Sequence, residues 1–389
     1  MSLILIIWGL LCFIFLGFPI VYHLYMKNRA TKLWRLNIDE TYEPSISILV
    51  PMHNEEKIVR FKLENLYKVK YPAEKVQIIL VNDASTDKTL DRIYRFVNSL
   101  HGLDVKVLNR TECAGKSNSL NFALKHATGD VIIVSDADCF WPSDILMKAL
   151  PYLSDTNVVA ITGRESLLNP QQSWVTKSEL FYDGYVQTIR CGESKFHSTI
   201  FFQGGFAAYK RAFLDEFDRE TDDSGTALNI VQKNGRALII PEAFFYTMFP
   251  VSWKNKIVVK MRRASQLQRI WIKCLKLLLK GKLILPKRIS IPEIFLHIFN
   301  PMVFVALMLA TIFLFVEQPV SLLGFLLILS PILLVPKIRI PFMEMVQNNC
   351  ILLAAMVTNI TNKRFKIWRT VEESRSLLNE NILKEKHLI

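Results

Sequence analysis

The chain has 389 residues, too many for one small core and enough for a catalytic domain with attachments. Hydrophobic residues make up 51% and charged residues 21%, with a mean hydropathy of +0.23, which excludes a disordered, collagen-like or low-complexity chain and makes a membrane protein the leading class. Lys and Arg (48) exceed Asp and Glu (35), giving +13, a surplus suited to nucleic acid, anionic lipid or a phosphate-bearing substrate.

Residues 1–26 contain no Lys, Arg, Asp or Glu, and the run 3–25 is long enough for a helix to cross a hydrocarbon core of ~30 Å. It has no basic segment before it, and Lys27, Arg29, Lys32 and Arg35 follow it. That pattern predicts a retained membrane anchor whose C-terminal side faces the cytoplasm, rather than a cleaved signal peptide.

Residues 44–250 alternate short β-rich runs with helical segments, which predicts an α/β domain with a mostly parallel sheet. The strand candidates are 45–50, 77–81, 105–108, 131–134, 158–162 and 237–240. Ligands of such sheets sit beyond the carboxyl ends of the strands. Polar segments follow the strands: P-M-H-N-E-E at 51–56, N-D-A-S-T-D at 82–87 and S-D-A-D at 135–138. No G-x-G-x-x-G follows the first strand, and A-G-K-S at 114–117 lacks the upstream glycine of a phosphate loop. Asp136 and Asp138 end an apolar strand one residue apart, so their carboxylates point the same way and suit a hard divalent cation with room for phosphate oxygens. Six scattered cysteines without a C-x-x-C pair suggest neither zinc nor a disulfide framework, which fits a reducing compartment.

Further on, 251–290 carries Leu267, Ile270, Trp271, Cys274, Leu275 and Leu278 at helical spacing, rimmed by Lys273, Lys276 and Lys280. This predicts amphipathic helices in the membrane interface, although an ordinary helix packed on the soluble domain has the same pattern. The region 291–362 holds three apolar stretches, 294–316, 318–336 and 342–360. The first two read as spans. The third carries Glu344, Gln347, Asn348 and Asn349 and has basic residues on both flanks, so it is a span facing a bundle, a re-entrant segment or an interfacial helix. Residues 363–389 read as a cytoplasmic tail. The positive charge gathers beside these apolar stretches, which points to membrane lipids and away from nucleic acid.

An ordered series of motifs resembles a known family. S-I-S-I-L-V-P-M-H-N-E-E, I-L-V-N-D-A-S-T-D, A-G-K-S-N-S-L-N-F-A-L-K-H-A-T-G-D-V-I-I-V-S-D-A-D, G-G-F-A-A-Y-K-R and T-D-D-S-G-T-A-L-N-I-V-Q-K-N-G look, in order, like those of family 2 glycosyltransferases. The resemblance covers about 44–271 and implies the GT-A fold, a Rossmann-like mixed sheet flanked by helices. Position by position, it implies that Pro51, Asn54 and Glu55 line the nucleotide pocket and that Asp83 hydrogen-bonds the base, typically uracil. It puts Lys116 near the donor, Asp136 near the ribose and phosphates, and Asp138 on Mg²⁺ or Mn²⁺. The family's T-E-D reads Thr221-Asp222-Asp223, with Asp223 in the position of the catalytic base; the same residue could instead cap the helix that follows.

Processive members carry Q-x-x-R-W. Here one spacing gives Lys260-Met261-Arg262-Arg263-Ala264, without Gln and Trp, and a second gives Gln266-Leu267-Gln268-Arg269-Ile270-Trp271, with one extra residue before Trp271. An inserted residue rotates a helical side chain by ~100°. Arg262 and Arg263 suit a pyrophosphate, with lipid headgroups as the alternative, and Gln266 joins the donor-binding set. The resemblance thus implies a metal-dependent, inverting enzyme of the cell membrane with a cytoplasmic catalytic domain. It would move a sugar from a nucleotide-diphosphate sugar, UDP-linked in the family's usual pattern, to a lipid-linked or glycan acceptor. A processive synthase of the hyaluronan, chitin or poly-N-acetylglucosamine type is the alternative, and a catalytically silent scaffold disagrees with the presence of both Asp138 and Asp223.

Overall fold

The computed structural model describes residues 3–99, 102–320, 324, 330, 333–361 and 371–389. Eight strands form one mixed sheet: β1 (Ile46–Met52), β2 (Val76–Asp83), β3 (Asp104–Arg110), β4 (Val131–Val134), β5 (Cys139–Phe140), β6 (Val158–Leu167), β7 (Ala207–Lys210) and β8 (Arg236–Thr247). Their order is β3-β2-β1-β4-β7-β6-β8-β5. β1 lies between β2 and β4 with both pairings parallel, while β7 runs antiparallel to β4 and β6. All seven residues of β1 are buried, as expected of a central parallel strand covered on both faces.

Successive residues serve opposite cores. Ile46, Ile48, Val50, Ile78, Leu80 and Ile133 point into one, and Leu49, Ile79, Val81, Ile132 and Val134 into the other. The helices are α1 (Leu3–Ala30, with a π-turn at Phe13–Gly17), α2 (Val59–Tyr67), α3 (Thr89–Ser99), α4 (Lys116–Leu124), α5 (Ile145–Ala149), α6 (Trp174–Phe196) and α7 (Ser224–Val231). There follow α8 (Trp253–Leu279), α9 (Lys287–Glu317), α10 (Pro336–Ile360), α11 (Glu372–Leu377) and α12 (Glu380–Glu385). The six expected strands all fall on observed ones. The sequence reading missed β5 and β7, and β6 and β8 run several residues beyond their expected ends.

Among the described residues three helices, α1, α9 and the segment Lys337–Ile360 of α10, are long and apolar enough to cross a membrane. The expected span 318–336 lies largely outside the described residues. Phe15 of α1 stacks on Phe304 of α9 at 5.4 Å, with Met345 and Val346 of α10 packed beside them, and Trp8 donates to Thr311 at 2.9 Å. The polar residues of α10 face α8: Glu344 accepts from Lys256 and Lys260, and Asn359 accepts from Ser265 and Arg269.

Residues 371–389, read on sequence as a separate tail, pack on the sheet domain. Leu378, Leu383, Leu388 and Ile389 enter the core beneath β1, and Asn65 of α2 donates to the carbonyl of Leu388 at 2.8 Å. Four apolar side chains at uneven spacing in a charged segment leave no clean period to read.

The second half of α1 lies against α6, whose start is set by a reciprocal cap between Ser173 and Thr176. Tyr22 donates to Glu193 at 2.8 Å, and Lys195 donates to the carbonyl of Ala30 at 2.8 Å. Between them the helices touch at Gly192, where a Cβ would collide with the backbone carbonyl of Met26. Gly192→Ala should therefore push the helices apart and cost about 1–3 kcal/mol, the usual range for overpacking. A thermal melt in detergent checks it, and an unchanged midpoint would show that the contact carries no weight.

Candidate active site

The loop after β1 is stitched to the loop after β2. Asn54 takes a left-handed conformation (φ 54), which Asn tolerates better than most residues, and its Oδ1 accepts from the amide of Thr86 at 2.8 Å. The amide of Glu55 donates to Thr89 Oγ1 at 2.8 Å, and His53 Nδ1 sits 2.7 Å from the carbonyl of Asp83. Asn54 thus spends its side chain on shaping the loop, while Pro51 and Glu55 line the adjoining cavity.

Asp83 ends β2 fully buried. Its carboxylate accepts from the amides of Ala114 and Gly115 and pairs with Arg110 at 3.2 Å. These bonds hold the turn at Gly115 (φ 87) that starts α4 and delivers Lys116. Lys116 Nζ lies 2.7 Å from both Asp136 Oδ1 and Asp222 Oδ2, joining the segment after β4 to the one before α7. Gly204 leaves room for this meeting, since a Cβ there would strike both Lys116 and Asp136.

The turn carrying Asp136 and Asp138 rests on a residue that sequence reasoning passed over. Lys62 of α2 is fully buried, donates to Ser135 Oγ at 2.5 Å and to the carbonyl of Cys139 at 2.6 Å, and lies over the Trp141 ring. Burial pushes its ammonium down to about 8. Asp136, Asp138 and Cys139 could converge on one ion. Burial and the nearby carboxylates push the Cys139 thiol well above its ordinary range, and a hard divalent cation prefers oxygen to sulfur, so the two carboxylates are the donors that suit it. Two oxygen donors with open positions suit Mg²⁺ or Mn²⁺, completed by phosphate oxygens and water.

The largest surprise comes from the far end of the chain. Arg375 of α11 forks onto Glu55, with Nε and Nη2 at 3.0 and 2.7 Å from its oxygens, and its Nη1 lies 2.7 Å from Asp138 Oδ2. Burial opposes charge on Asp138, but Arg375 prevails and holds the carboxyl below its usual range. Glu373 fastens the same helix to the start of α8 through Ser252 and Asn255.

Asp223 caps α7, accepting from the amide of Ser224 at 2.5 Å, and also lines the cavity with Thr221 and Asp222. Burial, then the neighbouring Asp222, pushes its carboxyl up to about 6. From α8, Arg262, Arg263 and Gln266 line the opposite wall, with Arg263 at 3.3 Å from Glu165. Glu165, near the end of β6, is buried and also accepts from Gln203 and Thr247. Trp271 is fully buried against His297 and Phe201, and Gln268 donates to backbone carbonyls of His297 and Leu352, so the second Q-x-x-R-W candidate is spent on packing apart from Gln266. The cavity measures about 280 Å³. Its lining combines these polar groups at strand and helix ends with the apolar side chains Phe201, Phe202, Phe249, Val259, Leu267 and Ile270.

Comparison with known proteins agrees with this geometry. The profile of Glycosyl transferase family 2 matches residues 47–217. The chain is 26% identical over 246 residues to the probable glycosyltransferase YdaM of Bacillus subtilis (strain 168), covering 60% of this chain and 57% of that protein. It is 33% identical over 139 residues to the beta-monoglucosyldiacylglycerol synthase of Nostoc sp. (strain PCC 7120 / SAG 25.82 / UTEX 2576), covering 35% of this chain and 29% of that protein. The matched segment thus spans little more than half of the first relative and under a third of the second. The mannosyltransferase PcManGT from Pyrobaculum calidifontis, solved in complex with GDP-Man and Mn²⁺, is similar with a TM-score of 0.80 and 28% identity, covering 93% of this chain and 100% of that one. The chain carries a family 2 glycosyltransferase domain of GT-A fold.

Arg375→Ala would leave Glu55 buried and unpaired. Removing one partner of such a pair costs about 3–5 kcal/mol, and Arg375→Lys, which keeps charge but not the fork, should lose less. Thermal melts of the two variants check the order, and equal, small losses would show that α11 docks without this bridge.

Proposed function

We propose that this family 2 domain belongs to a membrane-bound inverting glycosyltransferase that moves a sugar from a nucleotide-diphosphate sugar onto a lipid-linked or membrane-associated acceptor. The observation that carries the reading is the cavity itself. It brings Asp136, Asp138 and Lys116 together with a wall of α8 that carries both arginines and apolar side chains, and α8 also packs on the apolar helices α9 and α10. A polar donor and a lipid-borne acceptor suit such a mixed lining. The relative named as a beta-monoglucosyldiacylglycerol synthase supports the acceptor class, and the neighbour solved with GDP-Man and Mn²⁺ supports the donor class and metal.

The chemistry follows from the side chains. Asp136 and Asp138 would hold Mg²⁺ or Mn²⁺, which would supply positive charge against that building on the leaving diphosphate. Lys116, Arg262 and Arg263 add fixed positive charge around the same oxygens, so departure needs no proton. Pro51 and Glu55 border the nucleotide, and the Asp83 carboxylate, already bonded to two amides and Arg110, acts by holding the Gly115 turn. Asp223 takes the acceptor proton. One displacement by the acceptor inverts the anomeric centre.

The test incubates membranes containing the protein with radiolabelled UDP- and GDP-sugars, with and without chelator, and separates lipid-extractable from polymeric product. Metal-dependent label in the lipid fraction is expected. Polymer would point to the processive alternative, and no transfer from any donor would end the enzymatic reading.

A base with its carboxyl near 6 works only when ionised, so the transfer rate should climb as pH rises through about 6 and level off above it. Asp223→Asn still caps a helix, because Asn and Asp are comparable there. It should melt near wild type yet transfer about 10² to 10⁴ times more slowly and without that acidic limb. An Asn variant with near-normal turnover would reduce Asp223 to a cap.

A further inference from the structure

Helix α6 touches two neighbours, and together they fix its depth relative to the apolar helices. Its C-terminal half follows α1 in register and in the same direction: Tyr185 donates to the Pro19 carbonyl and stacks on His23 at 4.4 Å, Gly192 meets Met26, and Lys195 meets Ala30. The earlier residues of α6 therefore run toward the level of the uncharged stretch of α1 that precedes Pro19. Its N-terminal half packs instead on α8 and α10. Glu179 pairs with Lys260 at 3.0 Å, and Lys256 and Lys260 pair with Glu344 of α10 at 2.5 and 2.9 Å. The next two residues of α10, Met345 and Val346, pack with Phe15 and Phe304 in the apolar cluster shared by α1 and α9.

Two further features mark this layer. Its four charges are buried and cancel, two Lys against two Glu, which is the condition ionisable groups meet inside an apolar medium. Its outward face is unusually bare and mixes aromatic and aliphatic side chains with the exposed Lys177 and Lys254. Trp174 is 62% exposed and stacks at 5.2 Å on Trp253, which is 39% exposed, while Leu180 and Phe181 are 45% and 43% exposed. Inward, Val175 packs on Phe249 with Val259 alongside, and these two side chains line the catalytic cavity.

We propose that this face is a lipid-binding lip: the first turns of α6 and α8 dip into the bilayer leaflet on the catalytic domain's side, with Trp174, Leu180, Phe181 and Trp253 in contact with lipid. Its occupant is the bilayer, because the face is continuous in level with the apolar helices, and Trp favours the boundary of headgroup and acyl chain. The proposal rests on the membrane reading above and deepens it. A lipid-borne acceptor reaches the cavity past Phe249 and Val259 while its tail stays in the leaflet.

The full chain is reconstituted in vesicles of phosphatidylcholine with brominated or unbrominated acyl chains, and tryptophan emission is compared for wild type, Trp174→Phe/Trp253→Phe and Trp8→Phe. These conservative changes isolate the emission of the pair and of Trp8 in α1 by difference. Expected is a blue-shifted pair component that brominated lipid quenches and aqueous acrylamide does not. A pair quenched only by acrylamide, with Trp8 quenched by bromolipid, overturns the lip and leaves the membrane reading standing. If Trp8 also escapes bromolipid, the membrane reading fails and the lip falls with it.

Discussion

Six carboxylates, Glu55, Asp136, Asp138, Glu165, Asp222 and Asp223, line one cavity, and their mutual repulsion governs what surrounds them. Five cations answer: Lys116, Arg190, Arg262, Arg263 and Arg375. The pairing is specific. Lys116 bridges Asp136 and Asp222, Arg375 bridges Glu55 and Asp138, and Arg263 faces Glu165. Asp223 is left without an ion-pair contact of its own among the described residues, and burial beside Asp222 pushes its carboxyl up to about 6. The same electrostatic arrangement that lets the cavity exist thus separates a corner rich in cations from a carboxylate without an ion pair.

The fold class was legible because parallel strands buried on both faces write themselves as short apolar runs, and 131–134 or 45–50 admit little else. β5 and β7 were not, since two and four residues give no period to read. The acidic and basic groups at strand and helix ends, Lys116, Asp136, Asp138, Asp222 and Asp223, were legible as types in an order, and the structure brings them together. Arg375 was not. It stands 320 residues from Glu55, in a segment whose sequence shows only charge, and nothing local marks it as lining the cavity. Lys62 was hidden for the opposite reason, because a lysine in an amphipathic helix normally faces water, and only tertiary packing turns this one inward.

Helix α8 ties the catalytic and apolar parts together by using its faces differently. Arg262, Arg263 and Gln266 look into the cavity, Lys256 and Lys260 pair with Glu179 and Glu344, and Trp271 and Cys274 fill the sheet domain's core. Read as a sequence, these positions overlay three periodicities on one helix. That overlap explains why the pattern of an interfacial helix also suits a helix packed on the sheet domain, and why neither placement of the Q-x-x-R-W motif matched cleanly.

Chain order adds a temporal constraint. Arg375 is made after α10, so the corner formed by Glu55 and Asp138 remains open throughout synthesis of the sheet domain and of all three long apolar helices. A nascent chain therefore carries Glu55 and Asp138 without their shared arginine until the last of these helices has emerged. Assembly of the catalytic cavity is in this way tied to completion of the apolar part, and a chain stopped between α10 and α11 would hold every strand of the sheet yet lack the guanidinium that bridges its first and fourth strand ends.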